Sequence, residues 1–155
     1  MERYASVLRE IAERASLKPV KEIALLPGMK AVYRVTLHYF DFRASDSVVT
    51  VCCGRSNDAL SEAVYVGRFG NRPLTRTLGT RDYENFVRTI MSLSFDKLPD
   101  QQHIPVYGAD VCMVERAAGT FVKGVIFAPQ KAEGHYHTLF AAIKTYLPEA
   151  LREMV

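Results

Sequence analysis

The sequence has no tryptophan, no cysteine or histidine set at metal-ligand spacing, and no apolar run near the roughly 20 residues that cross a bilayer as a helix. A membrane-spanning helix is thereby excluded, and no membrane partner is expected. The first fifteen residues, MERYASVLREIAERA, carry Arg and Glu throughout and lack the continuous apolar stretch of a secretory signal, so the expected location is the cytoplasm. Cysteine is scarce as well: Cys52, Cys53 and Cys112 are three, an odd number. Neighbouring cysteines are poor disulfide partners, which agrees with a reducing compartment. Neither sign of charge dominates, because 20 Lys and Arg stand against 17 Asp and Glu for a net charge of +3. Such a balance excludes a strongly basic, histone-like nucleic-acid binder and a disordered acidic segment. Also missing are a Gly-x-Gly-x-x-Gly fingerprint and a Walker-type loop; Gly67-Arg68-Phe69-Gly70 is followed by neither Lys-Ser/Thr nor a helix start. Nucleotide hydrolysis is not expected.

What remains is a well-patterned core. With 155 residues, 48% of them hydrophobic, the chain has the size of one ordinary domain and needs neither disulfides nor metal to stabilise it. Tyr4, Val7, Leu8, Ile11, Ala12 and Ala15 share one side of an N-terminal helix that ends before Pro19. Val20 to Leu26 reads as a short strand stopped by Pro27-Gly28. From Ala31 the chain alternates, Tyr33, Val35, Leu37 and Tyr39 against Arg34, Thr36, His38 and Phe40, which predicts a long strand with one buried and one partly polar face. Val48 to Cys53 and Ala63 to Phe69 are further strand candidates around a turn-forming Gly54-Arg55-Ser56-Asn57-Asp58. A loop or edge segment then feeds a helix for which Thr80 is placed as the N-cap, with Tyr83, Phe86, Val87, Ile90 and Met91 at helical spacing. A long loop runs through Gly108. A hairpin follows, Val111 to Val114 and Phe121 to Phe127 around Ala117-Ala118-Gly119. A last helix runs through Leu139, Phe140, Ile143 and Leu147, and Pro148 must kink it or start a new turn. The order α, several β, α, hairpin, α predicts a single α+β domain over residues 1–155: a mostly antiparallel sheet of about five to six strands with helices packed on one face.

The segment from Thr80 onward resembles small bacterial α+β domains of mostly unknown function, a group that includes emfourin-like protease inhibitors. The resemblance rests on a helix ending in Phe95-Asp96-Lys97-Leu98-Pro99, followed by a hairpin from Asp110 to Pro129 and a helix from His135 to Leu147. It covers roughly half the chain by layout and implies a fold of that kind. The N-terminal helix and the loop after Asp100 lie outside the pattern.

Chemistry-bearing residues are scattered. His135 and His137 would share a face in an extended segment and, with a third ligand, could hold zinc. If Gly134 opens a helix, they diverge by about 200° and cannot chelate together. A cysteine hydrolase would need Cys53 or Cys112 beside His38, His103 or His135, and no local motif arranges this. The densest feature of one sign is Arg68, Arg72, Arg76 and Arg81, with no acidic residue from Val64 to Arg81. Guanidinium groups there, with Tyr65 and Phe69 as stacking surfaces, suit an anion, an RNA or DNA. Phe40 and Phe42 fall on the polar side of the long strand, where either a helix covers them or they form a partner or self-association surface. The expected function is a non-enzymatic domain acting through protein contacts, as an inhibitor, immunity-type or accessory factor, with no cofactor. Nucleic-acid or anion binding through the arginine segment is the alternative, and a small histidine or cysteine hydrolase or metal site beside the Asp100 to Gly108 loop is the third reading.

Overall fold

A computed structural model describes residues 2–41, 45–55, 61–67, 70–105 and 108–151, with the backbone alone for residues 2, 3, 70 and 71. The described residues form helix α1 (Glu2–Arg14), a short helix α2 (Val20–Ala24), strands β1 (Met29–His38), β2 (Ser47–Gly54), β3 (Ser61–Gly67) and β4 (Gly70–Leu78), helix α3 (Thr80–Ser92), the hairpin β5 (Val111–Ala118) and β6 (Phe121–Phe127), and helix α4 (His135–Tyr146). The strands make one six-stranded sheet in the order β4-β3-β2-β1-β5-β6, and every neighbouring pair is antiparallel. An α+β fold on a mostly antiparallel sheet is therefore the architecture. The segment before Thr80 is the edge strand β4.

Alternation along β1 sends Tyr33, Val35 and Leu37 to one face, where they meet Phe86 and Ile90 of α3 and Leu139 and Ile143 of α4 in the main core. Phe86 is held edge-on between Tyr33 and Tyr146, with ring centroids 5.7 and 6.2 Å away. Met91, read from the sequence as part of the apolar stripe of α3, is exposed instead. Tyr136 of α4 donates its hydroxyl proton to the Pro99 carbonyl at 2.6 Å, tying α4 to the long loop. That loop also seals the β6 edge: Asp100 accepts from the Ile126 amide, and the Gln101 amide donates to the Ile126 carbonyl, both at 2.8 Å. A strand edge covered in this way no longer offers those groups to another chain.

The helices do not all lie on one face, as the sequence suggested. Leu8 of α1 packs on Val111, Met113 and Ile126, and Val20 and Ala24 of α2 pack on Val32 and Ala117, all on the side opposite α3 and α4. Consequently β1 is buried on both faces from Ala31 to Leu37, including Arg34 and Thr36 on its polar side. The strand expected over Val20 to Leu26 is in fact α2 and a following turn. Pro19, with φ −56°, leads into it, and Val20, Ile23 and Ala24 then fall at helical spacing against the sheet. Gly79, not Thr80, occupies the N-cap of α3, and Thr80 is its first helical residue. Pro148 ends α4 by opening a separate 3₁₀ turn.

Candidate functional site

Antiparallel register sets a row of side chains across the sheet: Thr50 on β2 stands opposite Arg34 on β1, Arg34 opposite Glu115 on β5, and Glu115 opposite Gly124 on β6. The row lies on the face that α1 and α2 cover, so a cation and an anion are taken out of water together. Arg34 is 2% exposed and Glu115 8%. Directly opposed strand residues have Cβ atoms about 5 Å apart, close enough for an ion pair. Arg34 nevertheless turns toward β2, where its Nε donates to Thr50 Oγ1 at 3.0 Å. Among the described residues its Nη2 is buried without a hydrogen-bond partner.

Both charged groups line a cavity of about 430 Å³. Its walls are apolar, formed by Ala12 of α1, Leu17 and Pro19 of the connection, Val20 of α2 and Val122 of β6, while Arg9, Glu13 and Lys21 supply further charge from the two helices. A small, mostly apolar pocket with a few convergent polar groups is the usual form of a ligand site. Electrostatics agree that the pair is under strain from burial. Loss of water lowers the Arg34 pKa against the support of Glu115 and Cys52, and it raises the Glu115 pKa against the support of Arg34 and Arg9.

The residues singled out from the sequence are placed elsewhere. Arg76 is committed internally: Nη2 donates to the Tyr146 carbonyl at 2.8 Å, and Nε lies 3.0 Å from Oε1 of Glu149. Burial works against that charge, but Tyr65, Glu149 and Asp82 outweigh it, and the guanidinium pKa is raised. Tyr65 in turn is pushed up to about 12, chiefly by burial. Arg72 on β4 and Arg81 in the first turn of α3 are exposed. Arg68, Phe69 and Phe42 lie outside the described residues. Phe40 is 40% exposed in the turn after β1, where its backbone has already left the sheet. Its amide donates to Oδ1 of Asp110 at 3.2 Å.

His135 opens α4, so it and His137 stand two residues apart on a helix and diverge; both are exposed. His103 is exposed with φ 61°, and His38 pairs its Nδ1 with Asp46 Oδ1 at 2.8 Å. Among the described residues no group of three or more His, Cys, Asp or Glu side chains could hold a metal ion, and no helix is long and apolar enough to cross a membrane. Cys112 is wholly buried, and burial pushes its thiol far above the ordinary value, which withholds the thiolate a nucleophile needs. Cys53 is buried at the other end of β1, opposite Ala31, whereas Cys112 stands opposite Leu37, and Cys52 faces α2 with its pKa also raised by burial.

Arg34 was passed over in the sequence because one arginine on the polar side of an alternating strand reads as solvent-facing. The signal that could have flagged it is the amphipathic N-terminal helix standing before a strand whose polar side also carries the apolar Val32 beside Arg34, Thr36 and His38. No protein-family model matches the chain, and no curated protein matches its sequence.

Proposed function

We propose that this domain works by recognition rather than by catalysis, holding a small charged ligand in the cavity between α1, α2 and the sheet. The observation that carries the reading is Arg34, a fully buried guanidinium whose Nη2 has no partner among the described residues and which opens on a cavity of about 430 Å³. Burying a charge with an unfilled donor is costly, and sequences retain such costs where the group has a use beyond folding. Pockets in which burial and a nearby charge perturb ionisable groups are functional-site candidates on the same grounds.

Native mass spectrometry of the full chain, purified from its host without denaturation, tests the reading beside a Val122→Trp variant. Val122 walls the cavity and is 43% exposed, so the larger ring obstructs the cavity without entering the core. A small molecule at fixed stoichiometry on the native protein and missing from the variant is expected. Equal loading of both proteins, or no thermal shift of the native protein in a metabolite extract of the host, would overturn it.

A second reading keeps to protein contacts, as an inhibitor, immunity-type or accessory factor. It is favoured by the exposed apolar side chains of Leu25 and Leu26 directly after α2 and of Phe121 and Val122 at the start of β6. Association through either exposed position predicts a concentration-dependent mass in sedimentation that Leu25→Ser or Phe121→Ser reduces to the monomer. A monomer at all concentrations removes self-association from that reading.

A further inference from the structure

We infer that the cavity's ligand is a small zwitterion carrying a carboxylate and an ammonium group on an apolar body, that is, a compound of the amino-acid class. This rests on the reading of the cavity as a binding site and adds the chemistry of its occupant. Arg34 and Glu115 are register partners on β1 and β5, yet Arg34 spends its Nε on Thr50, and guanidinium and carboxylate both line the same cavity; among the described residues Nη2 has no hydrogen-bond partner. A carboxylate on the ligand pairs with the part of the Arg34 guanidinium that lines the cavity, and charge-assisted hydrogen bonds of this kind are the strong ones. The ligand's ammonium donates to the Glu115 carboxylate.

A simple anion would satisfy Arg34 and be repelled by Glu115, and a simple cation would meet the opposite fate. Arg34 and Glu115 already support each other's charge, and a ligand with both charges adds a direct partner to each without repulsion from the other. Residues at the walls agree in sign: Arg9 and Lys21 stand against Glu13, so the mouth as well as the floor carries both charges. Leu17, Pro19 and Val20 supply apolar contact for the body of the ligand. At about 430 Å³ the cavity lies near the small end of ligand pockets, which run from about 300 to 1,000 Å³, and suits a single small molecule.

Titration calorimetry of the intact protein at neutral pH, with each protein amino acid in turn, is the test. For whichever amino acid binds best, two analogues are compared: the carboxylic acid lacking the amine, and the amine lacking the carboxylate. The expected result is binding at least about tenfold tighter than for either analogue, equal to about 1.4 kcal/mol. Glu115→Gln, nearly isosteric, is expected to weaken the amino acid by a similar factor while improving the amine-free acid. Because the analogue series uses the native protein, the test does not depend on any variant folding. An analogue that binds as well as the amino acid, or affinity untouched by Glu115→Gln, overturns the zwitterion. If such an analogue's binding is abolished by Val122→Trp, the cavity stands as a binding site and only the ligand class falls. Failure of every amino acid to bind overturns the proposal outright.

Discussion

Replacing Arg34 and Glu115 together by methionine should leave the fold at least as stable as the native one, although either replacement alone is harmful. In Arg34→Met the hydrogen bond to Thr50 is lost, and hydrogen bonds to charged groups contribute about 1.5–3 kcal/mol. The same change relieves a buried donor, Nη2, whose missing partner costs about 1–3 kcal/mol, so these two contributions nearly cancel. The net harm comes from Glu115, left buried with only Arg9 to favour its charge. Removing one member of a buried charge pair costs about 3–5 kcal/mol at most sites. Glu115→Met strands Arg34 in the same way. With both groups gone neither charge is stranded, and apolar replacement of buried pairs is commonly neutral or stabilising by about 1–4 kcal/mol. Urea denaturation at pH 7, with unchanged m-values to show that the unfolding transition is the same, measures all four proteins. The double variant is expected to match or exceed the native midpoint and to bind nothing in the cavity. A double variant less stable than native by more than about 2 kcal/mol would refute the reasoning, since the pair would then be a structural support and its charge would need no ligand to account for it.

The stability of Glu115→Gln relative to the native protein should rise progressively as pH increases from the ordinary carboxyl value of 4.5 toward neutrality, on top of the constant offset that a stranded Arg34 gives the variant, and stay level below it. The folded state holds the Glu115 proton more tightly than the unfolded chain, so the native protein loses stability over that window, with Arg9 and Glu13 of α1, Lys21 of α2 and Arg34 of β1 as the charges that face it. Parallel urea titrations at stepped pH give the slope; a difference between the two proteins that does not change with pH contradicts the raised pKa. Arg76→Met should destabilise by about 1–3 kcal/mol through its contacts with Tyr146 and Glu149, whereas Arg72→Ala stays within about 0.5 kcal/mol, as thermal melts of the pair would show. Gly67→Ala should cost at least about 1 kcal/mol, because φ is +96° and a Cβ there would collide with the Asp46 carbonyl oxygen; an unchanged melting temperature would contradict that geometry. If the exposed Arg72 and Arg81 bind nucleic acid, oligonucleotide affinity falls steeply with salt and falls again in the double alanine variant. Affinity that ignores both removes that use of the arginines.

Much of the fold was legible because its elements are locally consistent. Tyr83, Phe86, Val87 and Ile90 place the buried stripe of α3 at helical spacing, and Tyr33, Val35 and Leu37 place the buried side of β1 at a period of two. Periodicity, however, identifies which residues share a face and not what lies against that face. The second layer was missed for this reason. Arg34, Thr36 and His38 made one side of β1 look solvated, and Val20 to Leu26, too short for a helical period to stand out from a strand pattern, was read as part of the sheet rather than as a helix lying on it. The two errors are one error, because it is α2, together with α1, that turns the polar side of β1 into an interior. Arg76 shows the converse. Its neighbours in sequence are polar and basic, but its partners Tyr146 and Glu149 are some seventy residues away, and nothing local distinguishes it from the exposed Arg72 on the same strand. Chemistry that depends on long-range register is thus the part that the pattern cannot reveal, and the Arg34–Glu115 row belongs to this class: β1 and β5 are distant in sequence, and only their antiparallel pairing sets a cation opposite an anion at the floor of a cavity. The same pairing makes the site separable from the fold. The core on the α3 and α4 face does not include either charged residue, so changes at the row should alter what the cavity binds while leaving the main core in place.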